Sequence, residues 1–156
     1  MIGPQLALSD DNRLLATTGP SNDALTLWDT TDPGHPRQVA DMATLTGVTS
    51  VSINHSATMM AVTNGTAIEL WNITSPAHPV RLATLTPPGD AVDTIASMGF
   101  TTDGRKLLIQ REYSVSFVDT DPRAVAAQLC TVTGNTVTAA QWGTYAPESA
   151  FRKPCP

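Results

Sequence analysis

Apolar and small-or-polar residues alternate along three separate stretches of the chain, the period-2 mark of a half-buried strand. The first reads LTLWDT from Leu25 to Thr30, the second IELWNI from Ile68 to Ile73, and the third, more loosely, VSFVDT from Val115 to Thr120. Trp28 and Trp71 stand 43 residues apart, and Val118 follows 47 later. Self-similar strands at such an interval imply a repeat architecture, and every other feature is read within it.

The flanks keep the same register. TDPGHP (Thr31–Pro36) follows the first copy and TSPAHP (Thr74–Pro79) the second, while the third keeps Asp121-Pro122. Ala43–Thr46 and Ala83–Thr86 both read ATLT. Upstream of each strand sits a third phrase: LSDDNRLLA from Leu8, INHSATMMA from Ile53 and FTTDGRKLL from Phe100. The pattern predicts strands at Gln5–Leu8, Arg13–Thr18, Ala24–Thr30 and within Arg37–Leu45 for the first repeat. The second predicts Val48–Asn54, Thr58–Asn64, Thr66–Asn72 and Val80–Thr86; the third Asp93–Phe100, Lys106–Gln110 and Ser114–Asp119. Asn64-Gly65 reads as a tight two-residue hairpin with φ > 0 at both positions. No fourth strand follows Asp119. Asp121-Pro122 instead reads as a helix start, and Thr138-x-x-Gln141 as a capping box.

Phe100-Thr-Thr-Asp103-Gly104 and Leu27-Trp28-Asp29 resemble the WD-repeat β-propeller pattern, in which each repeat is one four-stranded blade packed around a channel. The resemblance covers roughly residues 5 to 121. Its Asp-Pro-x-His-Pro linker and its tail (Leu129-Cys130, Gln141-Trp142, Tyr145, Phe151) are similar to the C-terminal end of large bacterial WD-repeat proteins. The chain departs from the family in lacking Gly-His before the first strand, since Gly47 is followed by Val48 and Gly89 by Asp90. Asn72 and Val118 also replace members of the Trp-Asp pair. The expected fold is all-β: an incomplete WD-repeat propeller of about three blades with a short helical C-terminal cap. Blade one takes residues 1–47, blade two 48–90, blade three 91–121 without its fourth strand, and the cap 122–156. The family closes its ring by mixing strands from the two chain ends, so the resemblance implies the C-terminal piece of a longer parent. It also implies that the end blades leave strand edges open to self-association.

Composition narrows the function classes. A chain of 156 residues has room for a sizeable core. The net charge of −5 argues against nucleic acid, whose phosphates call for a basic face. No apolar run approaches the roughly 18 residues of a membrane-spanning helix, and MIGPQLALSD lacks the basic flank and apolar centre of a signal peptide. A cytoplasmic protein is expected. Cys130 and Cys155 are the only cysteines. They read as reduced thiols in the cytosol, with a disulfide pinning the tail as the alternative, because spacing alone does not decide it.

The candidate chemistry is sparse. His35 and His78 occupy equivalent linker positions, so repetition accounts for them, and His55 falls in an exposed turn. No serine or cysteine is made adjacent to them by the repeat, as a catalytic triad would need. Asp10, Asp11 and Asp103 fall in turns, where Asp accepts bonds from local amides. No metal-ligand spacing and no phosphate-binding loop is present, so no cofactor, metal or catalytic residue is assigned. Trp28 and Trp71 are expected to pack between neighbouring blades. Partner-binding residues are expected on rim loops: Arg111, Glu112 and Tyr113 between the second and third strands of blade three, and Asp90 in the loop before it. The resemblance thus implies a non-enzymatic protein-interaction scaffold, in the family the sensor region of a larger signalling protein. The alternatives are a propeller hydrolase or lyase and an inactive fragment of the parent.

Overall fold

The computed structural model describes residues 4–19, 23–86 and 94–121, together with Arg123, Ala124, Ala127, Cys130, Thr131 and Thr138. The chain divides into two compact units, Met1–Val118 and Asp119–Pro156. All described elements are strands: β1 (Leu6–Leu8), β2 (Leu14–Thr18), β3 (Ala24–Asp29), β4 (Arg37–Ala43), β5 (Ser50–Ile53), β6 (Met59–Thr63), β7 (Ile68–Asn72), β8 (Val80–Leu85), β9 (Ile95–Phe100), β10 (Lys106–Arg111) and β11 (Val115–Asp119). They match the eleven predicted strands, with ends displaced by no more than two residues.

Three antiparallel sheets result, ordered β1-β2-β3-β4, β5-β6-β7-β8 and β9-β10-β11. They do not close on one another. Each sheet is a meander, because short turns leave an antiparallel neighbour as the nearest pairing partner. The first strands lie side by side, with β5 between β1 and β9. The register of the second and third strands repeats as well: Leu15 opposes Trp28 and Met60 opposes Trp71. A bulge falls between Leu27 and Trp28 and again between Leu70 and Trp71, adding local twist at the same place in both sheets.

Alternation sends each strand's side chains to two faces, and both faces of the middle sheet are buried. Leu14, Ala16, Leu25 and Leu27 of the first sheet pack on Met60, Val62 and Trp71 of the second. Ala61, Ile68 and Leu70 of the second pack on Leu107 and Ile109 of the third, with Val118 alongside. This explains why β6 (MMAVT) reads as a nearly continuous apolar run while β11 (VSFVD) does not. Trp71 sits between sheets as expected. Its counterpart Trp28 does not: it lies half-buried on the far face of the first sheet and donates its Nε1–H to Thr17 Oγ1 at 2.9 Å.

Two expectations change, on the 64–67 turn and on Cys130, and a third lies almost wholly outside the described residues. Asn64-Gly65 is not a two-residue hairpin with both residues at positive φ; only Gly65 is, at 93°. Asn64 instead accepts bonds at its Oδ1 from the amides of Thr66 (3.2 Å) and Ala67 (3.0 Å), stretching the loop over 64–67. The helical cap at 122–156 lies almost wholly outside the described residues, and no helix is among the described elements. Cys130 is disulfide-bonded rather than a reduced thiol; Cys155 lies outside the described residues. No described helix is long and apolar enough to cross a membrane.

Candidate functional site

Antiparallel meanders put their turns at two ends, and the side chains there are free of the alternation that the cores impose. At one end, the β1–β2, β5–β6 and β9–β10 turns share a single design. Asn12 (φ 58°), Ala57 (φ 51°) and Gly104 (φ 68°) hold the same left-handed position. Each donates its amide to the residue three earlier: Asn12 to Ser9 O (2.9 Å), Ala57 to Asn54 O (2.9 Å) and Gly104 to Thr101 O (2.7 Å). Asp11 Oδ1 accepts from Ser9 Oγ at 2.6 Å and from the Arg13 amide at 3.1 Å. Asp103 repeats this with Thr101 Oγ1 (2.6 Å) and the Arg105 amide (3.1 Å). These bonds favour the charged form, the hydroxyl bond most, and hold both carboxyls below the ordinary aspartate value.

Asp29 is lowered in the same way by the Thr31 hydroxyl and amide, the amide lying at 2.9 Å. Asn72 takes its place in the second sheet and accepts from the Thr74 amide at the same 2.9 Å. The exchange of Asp for Asn is therefore conservative, since the position needs only an acceptor. His35 and His78 sit in equivalent turns, donating their amides to Asp32 O and Ser75 O. Asp10 departs from the local-amide expectation: its carboxylate meets the His55 imidazole of the next turn, linking the first two sheets.

The opposite end carries the predicted binding residues. Glu112 and Tyr113 form the tip of the β10–β11 hairpin, closed by the Arg111 amide donating to Ser114 O at 2.8 Å. Tyr113 is 79% exposed and donates its hydroxyl to Glu112 Oε1 at 2.8 Å. Arg111 is not part of the loop surface. It ends β10 opposite Ile95, buried on the face that meets the second sheet. Asp90 lies outside the described residues. The structure thus brings Glu112 and Tyr113 together at one exposed tip and turns Arg111 inward.

One arrangement escaped the sequence reading. Glu69 is buried mid-strand and accepts from Trp71 Nε1 (3.2 Å) and Arg81 Nη1 (2.8 Å). Aligned repeats hold the signal, because Thr26 and Ser116 occupy the same position, and a carboxylate there needs a cation beside it. The geometry is that of a structural pair joining β7 to β8. Among the described residues, no three His, Cys, Asp or Glu side chains converge as a metal site.

No family model and no curated protein sequence matches the chain. Solved structures do resemble it. The hydrazine synthase of Kuenenia stuttgartiensis superposes with a TM-score of 0.62 at 14% identity, over 77% of this chain and 33% of that one. A functionally unknown protein from Desulfotomaculum acetoxidans does so with a TM-score of 0.62 at 10% identity, over 74% and 39%. At these identities the likeness speaks for the fold alone. The chain spans well under half the length of either structure.

Proposed function

We propose that the three sheets are blades of a WD-repeat-like β-propeller and that the chain is a non-catalytic protein-interaction scaffold, the C-terminal part of a larger propeller. The observation that carries this reading is the exposed Glu112–Tyr113 tip on a hairpin whose supporting strand is packed against the second sheet. A loop held this way presents an aromatic ring and a carboxylate with little ordering left to do on binding. Tyrosine is a side chain over-represented among those that dominate interface energies. Helical backbone at Arg123, Ala124, Ala127, Cys130 and Thr131 supports the cap. The disulfide at Cys130 favours an oxidising compartment over the cytosol, because such bonds persist where thiols are not kept reduced.

The test is capture of partners by the immobilised chain and by a Glu112→Ala/Tyr113→Ala variant, quantified by mass spectrometry. The scaffold reading expects at least one protein held by the wild type to fall about tenfold or more with the variant, the loss of roughly 1.4 kcal/mol. Identical capture by both would remove the tip from the reading.

A further inference from the structure

Asn64-Gly65 is the one Asn-Gly dipeptide in the chain, and it carries a chemistry of its own. Glycine has no side chain to hinder its amide nitrogen, so that nitrogen can attack the side-chain carbonyl of the residue before it. The bond from Gly65 N to Asn64 Cγ forms, the Asn64 Cγ–Nδ2 bond breaks, and ammonia leaves carrying the Gly65 proton. Water then opens the cyclic imide at either carbonyl, giving aspartate or isoaspartate at position 64. Water is consumed and ammonia released, with no oxidant or reductant.

The first step has strict requirements. A base must take the Gly65 proton, and the bared nitrogen must meet Asn64 Cγ in line. The fold stands against both. Gly65 is buried, and its amide donates to Thr63 Oγ1 at 3.1 Å. Thr63 is itself fully buried and fixed, donating its hydroxyl to Ala67 O at 2.7 Å. The Gly65 carbonyl accepts from the Ile95 amide at 2.8 Å, which ties the turn to β9. The Asn64 side chain is pinned at Oδ1 by the Thr66 amide (3.2 Å), the Thr66 hydroxyl (3.0 Å) and the Ala67 amide (3.0 Å). Imide formation removes the Gly65 N–H altogether, so its bond to Thr63 cannot survive the reaction.

We propose that Asn64-Gly65 is a deamidation site that the fold keeps closed, reacting only when the β6–β7 turn opens. Its two products differ in what they allow afterwards. Aspartate keeps the oxygen that the three donors need, and the turn can re-form around it. Isoaspartate adds a methylene to the main chain and displaces the acceptor, so the same turn cannot close. The site therefore records each opening irreversibly, at a rate set by the open fraction when reclosing is fast. This inference rests on the turn alone, and on neither the propeller reading nor the Glu112–Tyr113 tip.

Peptide mapping by mass spectrometry, after incubation in mildly alkaline buffer, follows conversion of the peptide that carries Asn64. Three samples are compared: folded wild type, wild type unfolded in guanidinium chloride, and a Thr63→Val chain without denaturant. Valine keeps the branched shape and removes the oxygen that accepts from Gly65. Folded wild type is expected to convert about tenfold or more slowly than the unfolded chain, or about 1.4 kcal/mol of opening. The Thr63→Val chain is expected to keep the wild-type circular dichroism spectrum and to convert several-fold faster than folded wild type. Equal rates in folded and unfolded wild type overturn the proposal, and this comparison needs no variant to fold. A Thr63→Val chain with the wild-type spectrum that converts no faster than wild type overturns it too.

Discussion

At the scale of single residues, the turns are held by side-chain acceptors, three of them carboxylates that local hydroxyl and amide bonds keep ionised. Asp11, Asp29 and Asp103 each accept a side-chain hydroxyl bond and a backbone amide bond, and each is held below the ordinary aspartate value. A carboxyl lowered in the folded state contributes stability that is fully present above its unfolded value. That contribution is lost as the pH falls through the folded value. Urea midpoints are therefore expected to hold from pH 7 down to about pH 4 and to fall below it. A decline already under way near pH 6 would contradict this, because aspartates held below their ordinary value stay ionised there. Residue identity explains the Asp-for-Asn exchange at position 72, which the repeat alignment marks as a departure and the amide bond accounts for. It also shows why Glu69 was missed. A lone carboxylate in a strand reads as solvent-facing until the Arg81 partner across the sheet is known.

At the scale of elements, the hairpin turns separate what the sequence shows from what it hides. All eleven strands were legible because alternation and repetition agree, and each repeat corrected the reading of the others. The Asn64-Gly65 turn was misread because its dipeptide suits a two-residue loop, while the Asn64 side chain satisfies two amides and lengthens it. Ala57 is instructive in the same way: an alanine at φ 51° occupies the position that Gly104 fills in the third sheet. Left-handed backbone costs a non-glycine residue about 1–2 kcal/mol, and glycine's extra chain freedom returns roughly half of that gain. Ala57→Gly is expected to stabilise the chain by about 0.5 kcal/mol, or about 1–2 °C in Tm. A lower Tm would mean that the turn depends on the alanine methyl for packing.

At the scale of the whole molecule, the sheets stack through one interface that is built twice from equivalent positions. The exposed tip at Glu112 and Tyr113 falls where the loop departs from the repeat. Arg111 was placed there for the same reason, yet strand pairing continues one residue further and carries it inward, which sequence spacing does not reveal. Val115 and Phe117 look like core residues in the sequence, yet they are 63% and 59% exposed. Stacking implies that the second sheet, covered on both faces by described strands, is the best protected of the three sheets. Amide hydrogen exchange measures this directly. Amides of β6 and β7 are expected to exchange more slowly than those of β2, β3, β10 and β11. If β6 and β7 exchange as fast as the outer sheets, the faces between sheets are not a shared core, and the stacked architecture fails with them.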